Sequence, residues 1–71
     1  MEPRYVFVEE SASGAPPDVM WRLVWQAVDP PDRPPIISDI TADRYAALDS
    51  EQLRDGARFW TEPEIIAFLG S

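Results

Sequence analysis

Carboxylates are the side chains with which this chain would have to do chemistry. Thirteen Asp and Glu residues stand against six Arg, and the sequence contains no Lys, His or Cys. Three pairs of neighbouring carboxylates offer the oxygen ligands that hard cations prefer. They are Glu9 with Glu10, Asp29 with Asp32, and Asp39 with Asp43. Because none has the ligand number or the glycine pattern of a calcium loop, the sequence predicts no metal site and no cofactor.

Catalysis by a nucleophile or a proton shuttle lacks its usual residues. His, Cys and Lys supply most such groups near neutral pH, and all three are missing. The serines have no base to activate them and no nucleophile elbow around them. An acid–base pair of carboxylates would need two differently tuned pockets, which a chain of 71 residues rarely encloses. The chain is therefore predicted not to be an enzyme.

Size and charge favour a small acidic domain that works by contact. Residues 1–71 make one domain at most, and 45% of them are apolar, which is too many for an acidic disordered tail. The net charge of −7 repels phosphate backbones and favours basic partners. The three Trp residues have no basic groove beside them, so we expect no direct binding to nucleic acid.

Targeting and membrane segments are not indicated. The first apolar run, Tyr5 to Val8, has only four residues before Glu9, which is too short for the core of a signal peptide. Nothing in the sequence approaches the length of a membrane span. We therefore expect no membrane contact and a cytoplasmic location, with which the lack of cysteine is compatible.

The amino-terminal half predicts a pair of strands. Arg4–Glu9 is rich in β-branched and aromatic residues, which is the clearest strand signal in the chain. A loop follows over Ser11–Asp18, which contains Gly14 and two prolines. Val19–Val28 fits either a strand or an amphipathic helix. The strand is favoured because Arg4–Glu9 needs a pairing partner and no other candidate lies nearby.

A proline-rich segment separates the two halves. Four of the six positions from Pro30 to Pro35 are proline, which removes backbone donors and excludes regular structure. We interpret Asp29–Pro35 as a stiff connector. A polyproline ligand for an aromatic groove is the alternative.

Two short helices are predicted after the connector. Thr41 is suited to cap the first, which carries its apolar residues from Ala42 to Leu48. Asp49 with Gln52 is a plausible capping box for the second. Leu53, Ala57 and Trp60 would form the buried side of that second helix.

The last helix has the clearest local signature. Thr61 with Glu64 forms a capping box, and Pro63 lies in the first turn, where proline is tolerated. Trp60 precedes the cap and is placed to pack on Ile65 as a hydrophobic staple. Gly70 suits the position after the helix.

This last helix is also the predicted interface. Residues 65–69 are apolar on nearly every side, and a small core covers about half of that circumference. The remainder should be covered by a second chain or stay as an exposed patch. The residues predicted to contact a partner are Trp60, Glu62, Glu64, Ile66, Phe68 and Leu69.

The fold class predicted from these elements is α+β, with a two-stranded hairpin or short antiparallel sheet packed against two or three short helices. The favoured function is a small acidic protein-binding module, an inhibitor or regulator that docks on a basic or mixed surface of another protein. Two alternatives stay open. One is a nucleic-acid mimic of the phage anti-defence type, and the other is an accessory subunit of a larger complex. A homodimer is compatible with all three.

Overall fold

The computed structural model describes residues 2–56 and 58–70. Its four strands and three helices follow one another as β1 (Arg4–Ser13), β2 (Met20–Asp29), β3 (Ile36–Thr41), α1 (Ala42–Ala47), α2 (Ser50–Leu53), β4 (Trp60–Thr61) and α3 (Glu62–Gly70). The strands form one antiparallel sheet in the order β3-β2-β1-β4. This sheet curls into an open half-barrel. The α+β class predicted from the sequence is confirmed.

The hairpin of β1 and β2 is the longest part of the sheet. Segment 20–29 is a strand rather than a helix, as favoured above, and it pairs with β1 from Arg4 to Ser13. The turn between the strands begins at Gly14, whose φ of +92° favours glycine. A Cβ at this position would lie 2.8 Å from the carbonyl oxygen of Asp18, so the loop also needs the space that glycine leaves.

The sheet has four strands, whereas the sequence predicted a two-stranded hairpin or a short sheet. The missed strands are β3 and β4. Within β3, Ile36, Ser38 and Ile40 face the same side as the buried residues of β2, so this segment has the period of two of a strand. β3 pairs with β2 from Met20 to Trp25. This pairing gives β2 a hydrogen-bonded neighbour on the edge that β1 does not occupy.

The predicted second helix is shorter than expected. It ends at Leu53, after which Arg54 and Gly56 lie in a turn, and Trp60 belongs to β4. There Trp60 pairs with Tyr5 of β1. It is therefore buried as a residue of the sheet and not as part of the buried side of the predicted second helix. Ala57, also expected on that helix, lies outside the described residues. The cap at Asp49 is confirmed, because its carboxylate accepts the Glu51 N–H.

The core lies on the concave side of the sheet, beneath the helices. The sheet supplies Tyr5, Leu23, Trp25, Ala27 and Trp60, and the segment from α1 to α3 supplies Leu48, Leu53, Ile65 and Phe68. Trp25 and Trp60 meet edge to face with ring centroids 5.7 Å apart, and Trp60 meets Phe68 in the same way at 5.3 Å. Such pairs add about 0.5–1.5 kcal/mol each to the burial of the rings. The fold is therefore centred on a row of aromatic rings.

Candidate protein-binding surface

Helix α3 begins at the capping box that the sequence predicted. The Glu64 N–H donates to Thr61 Oγ1 at 3.4 Å, and the Thr61 N–H donates to Glu64 Oε1 at 3.1 Å. The Thr61 hydroxyl also donates to Glu64 Oε1, at 3.0 Å. Trp60 and Ile65, the predicted staple, lie together in the core. Gly70 is the last residue of the helix rather than the first residue after it.

Arg58 joins α3 to α2. One terminal nitrogen of its guanidinium donates to Glu64 Oε2 at 3.1 Å, and the other donates to Gln52 Oε1 at 3.2 Å. The guanidinium carbon lies 3.7 Å from the centroid of the Trp60 ring. The amide nitrogen of Gln52, Nε2, in turn donates to Asp49 Oδ2 at 3.1 Å. These contacts hold two helices and one core ring in a fixed arrangement.

A shallow groove of about 350 Å³ runs between α2 and α3, and we call it the α2–α3 groove. It is lined by Asp49, Gln52, Arg58, Glu64, Ala67 and Phe68. Its polar wall carries two carboxylates and one guanidinium, and its apolar wall is the Ala67 and Phe68 side of α3. Such a groove suits a side chain with an apolar stem and a positive head.

The six predicted partner-binding residues fall into three groups by their exposure. Ile66 is 62% exposed, and Glu62 and Glu64 are also exposed. Leu69 is partly buried, and its carbonyl oxygen accepts a hydrogen bond from Arg44. Trp60 and Phe68 belong to the core. The structure therefore places three of the six on the surface and two beneath them.

Of the three carboxylate pairs singled out from the sequence, one is divided between the two faces of the sheet, and each of the other two has one member that pairs with an arginine. Glu9 lies opposite Val24, and Glu10 lies opposite Leu23, so the two side chains point to opposite faces of the sheet. Asp29 pairs with Arg4, and Asp39 pairs with Arg22 at 2.9 Å. Within residues 2–56 and 58–70, no group of three carboxylates is placed to hold a metal ion.

Glu10 belongs to a cluster that the sequence did not indicate. Its carboxylate accepts a hydrogen bond from the Tyr45 hydroxyl, and Arg54 lies 3.9 Å away. The Tyr45 ring stacks on Trp21 with centroids 3.9 Å apart. Trp21 is partly buried, whereas Trp25 and Trp60 are buried. No local pattern in the sequence signals this cluster, because a β-bulge at Val8 shifts the register and brings Glu10 to the concave side.

The hydrogen bonds at Glu64 make the stability of this region depend on pH. The Thr61 N–H, the Thr61 hydroxyl and the Arg58 guanidinium all favour the charged form, and they hold the pKa of Glu64 below its ordinary value of 4.5. A lowered pKa in the folded protein stabilises the fold above the unfolded value. That contribution disappears as the pH falls from about 4.5 through the lowered pKa.

We therefore expect a Glu64→Gln variant to lose less stability in acid than the parent protein. Gln keeps the capping box but carries no charge, so the cost at neutral pH should stay within about 1 kcal/mol, because the ion pair is half exposed. Urea unfolding at a series of pH values below neutrality measures the difference. The same acid sensitivity in both proteins would show that Glu64 does not carry it.

No protein-family model, curated protein or solved structure matches this chain. The function is therefore argued from the surface itself. Among the described residues, no helix has the length and apolar character needed to cross a membrane.

Proposed function

We propose that this chain is a small protein-binding module, an inhibitor or regulator, that docks on a basic surface of another protein through α3 and the α2–α3 groove. The observation that carries the proposal is Ile66, which is 62% exposed on a helix whose other large apolar side chains are buried or partly buried. Ile66 does not itself line the α2–α3 groove, so a partner that contacts both must span the exposed side of α3 that carries Ala67.

The charge around Ile66 defines the chemistry of the partner. Residues 42–70 carry six carboxylates and three arginines, so the helical side has a net negative charge. Arg58 already binds Glu64 and Gln52 and covers Trp60. Asp49 and Glu62 have no arginine partner among the described residues, although Asp49 caps α2. A partner with Lys or Arg around an apolar centre complements this surface.

The buried members of the predicted set would act from beneath the surface. Trp60 and Phe68 pack edge to face and fix the position of α3. A helix of nine residues is not stable alone in water, so it presents Ile66 in one orientation only while these rings hold it. In this proposal Ile66, Glu62 and Glu64 touch the partner, and Trp60 and Phe68 position them.

The nucleic-acid mimic receives less support than protein binding. Mimicry requires free carboxylates at phosphate spacing on one face. Among the described residues, the carboxylates of Glu10, Asp29, Asp39 and Glu64 form ion pairs with arginines. The others are divided between loops, strands and helices. An accessory subunit would use the same surface, and it differs only in needing its partner in order to fold.

A capture experiment with matched variants tests the proposal. The parent protein, Ile66→Lys and Ile37→Lys serve as baits in lysate of the source organism, with quantitative mass spectrometry. Ile37 is also an exposed isoleucine, 54% against 62%, but it lies on the sheet and away from α3. We expect a protein with a basic surface that the parent and Ile37→Lys retain and that Ile66→Lys loses. Equal recovery of the same proteins by all three baits would contradict the proposal.

A further inference from the structure

The connection between α2 and β4 contains the one aspartate of this chain that is followed by glycine, Asp55 before Gly56. Both residues are exposed and lie outside the helices and strands. Apart from the two chain neighbours of Gly56, no atom of the described residues lies within 4 Å of a Cβ placed on it. The peptide bond between Asp55 and Gly56 is therefore exposed and uncrowded.

An aspartate followed by glycine is the arrangement in which ring closure meets the least obstruction. In any aspartate, the side-chain carboxyl carbon and the next main-chain nitrogen can close a five-membered ring. A side chain on the following residue obstructs their approach, whereas glycine has none and leaves the main chain free to rotate. The other six aspartates precede residues with side chains, and one of these is proline, which has no N–H to lose.

Asp49 before Ser50 shows the opposite arrangement in the same chain. The Asp49 carboxylate accepts the Glu51 N–H at 3.3 Å and Gln52 Nε2 at 3.1 Å. Ser50 is the first residue of α2, so the peptide bond between them belongs to a capped helix. The Asp49 carboxyl carbon reaches the Ser50 nitrogen only if both hydrogen bonds are lost. The fold therefore protects Asp49, whereas Asp55 lies beyond the end of the helix.

We propose that Asp55 is a site of spontaneous isomerisation to isoaspartate, a covalent modification that needs no enzyme. The Gly56 nitrogen attacks the side-chain carboxyl carbon of Asp55 and gives up its proton. The carboxyl group gives up a hydroxyl, so one water leaves and a succinimide ring forms. Water that adds at the side-chain carbonyl restores aspartate. Water that adds at the main-chain carbonyl breaks its bond to the Gly56 nitrogen and leaves the chain joined through the side-chain carbon.

The modification changes the length of the main chain and not the charge. Isoaspartate adds one carbon to the backbone between α2 and Arg58, and one free carboxylate replaces another. The Asp55 carbonyl oxygen accepts the Arg58 N–H at 3.0 Å, and in isoaspartate it becomes part of the free carboxylate. Arg58 contacts Gln52 and Glu64 from this turn. We therefore expect isoaspartate to displace Arg58 and to weaken the contacts that hold α2 to α3.

The chemical step does not depend on the docking proposal. Only its effect on a partner rests on that proposed function, because Arg58 lines the α2–α3 groove. In a protein that docks through this groove, isomerisation lowers the affinity for the partner gradually as the molecule ages.

Peptide mapping of the purified full chain, kept warm in neutral buffer for several weeks, tests the modification. Trypsin places the two aspartates in separate peptides, residues 45–54 and 55–58. Isoaspartate has the mass of aspartate and is identified by retention time and fragmentation, and the succinimide is lighter by one water. We expect both products at Asp55 at least about tenfold faster than at Asp49. Gly56→Ala, for which the fold has space, should slow the reaction about as much, and Asp55→Glu, which needs a six-membered ring, should abolish it.

Amide NMR spectra of fresh and aged protein measure the effect on the groove. We expect changes at Gln52, Arg58 and Glu64, and none in β2 and β3. Equal rates at Asp49 and Asp55 would overturn the proposal, and so would an unmodified folded protein under conditions in which the urea-unfolded chain isomerises. Isoaspartate at Asp55 with unchanged signals around Arg58 would overturn its effect on the groove. Neither measurement uses a partner, so the modification and the docking proposal fail separately.

Discussion

Trp60→Ala should remove most of the free energy of unfolding of this protein. The Trp60 ring is 1% exposed and lies between Trp25, Phe68 and the guanidinium of Arg58. Its removal leaves a cavity in the centre of the core and should cost about 3–5 kcal/mol. A chain of 71 residues without cysteine should have a free energy of unfolding at the low end of the usual range of about 5–15 kcal/mol. Urea unfolding followed by far-UV circular dichroism measures the loss.

Phe59→Ala is the matched control, because it removes an aromatic ring one position away. Phe59 is 54% exposed, and Arg4 lies 5.8 Å from its ring centroid. The expected change is within about 1 kcal/mol. Equal losses in the two variants would contradict the placement of Trp60 at the centre of the core and of Phe59 on the surface.

Partner association should slow strongly as salt rises, and this is the second large effect that we expect. The net charge of −7 and the carboxylates of the helical side attract a basic partner before contact. Raising the ionic strength from about 0.01 to 0.15 M shortens the Debye length from about 30 to 8 Å. We expect the association rate constant to fall about 10–100-fold, while the dissociation rate changes much less. Surface plasmon resonance with the captured partner measures both rates.

Glu62→Gln provides the control for this salt dependence. Glu62 is exposed in the first turn of α3 and has no arginine partner among the described residues. Its neutralisation should lower the association rate at low salt and flatten the salt dependence. An association rate that stays constant across the salt series would rule out charge as the driving force for docking.

The local signals of the sequence were reliable where one short segment determines its own structure. Strand β1 and the Thr61–Glu64 capping box each depend on neighbouring residues, and both are confirmed. The strand assignment of 20–29 is confirmed as well, but its local pattern also fitted a helix, and only the need of β1 for a pairing partner favoured the strand. Strands β3 and β4 were not predicted, because both depend on partners far away in the chain. Trp60 fits a helix by spacing, and only its pairing with Tyr5 makes it part of a strand.

The candidate docking surface could be predicted from the sequence only in part. Helical periodicity indicated that residues 65–69 could not all be buried in a small core, but it did not separate Ile66, which is exposed, from Phe68 and Leu69, which are buried or partly buried. The α2–α3 groove depends on the contacts of Arg58 with Gln52 and Glu64, and no local pattern in the sequence reveals these contacts.

An NMR titration with a synthetic peptide of alternating Arg and Leu tests the docking surface most directly. The peptide carries the positive charge and the apolar contacts that we propose for the partner, and amide chemical shifts of the labelled protein report where it binds. We expect the largest shifts in α2 and α3, around Gln52, Glu64 and Ile66, and their loss in Ile66→Lys but not in Ile37→Lys. Shifts centred on Val24 and Ile37, or spread evenly over the chain, would contradict the assignment of docking to α3 and the α2–α3 groove.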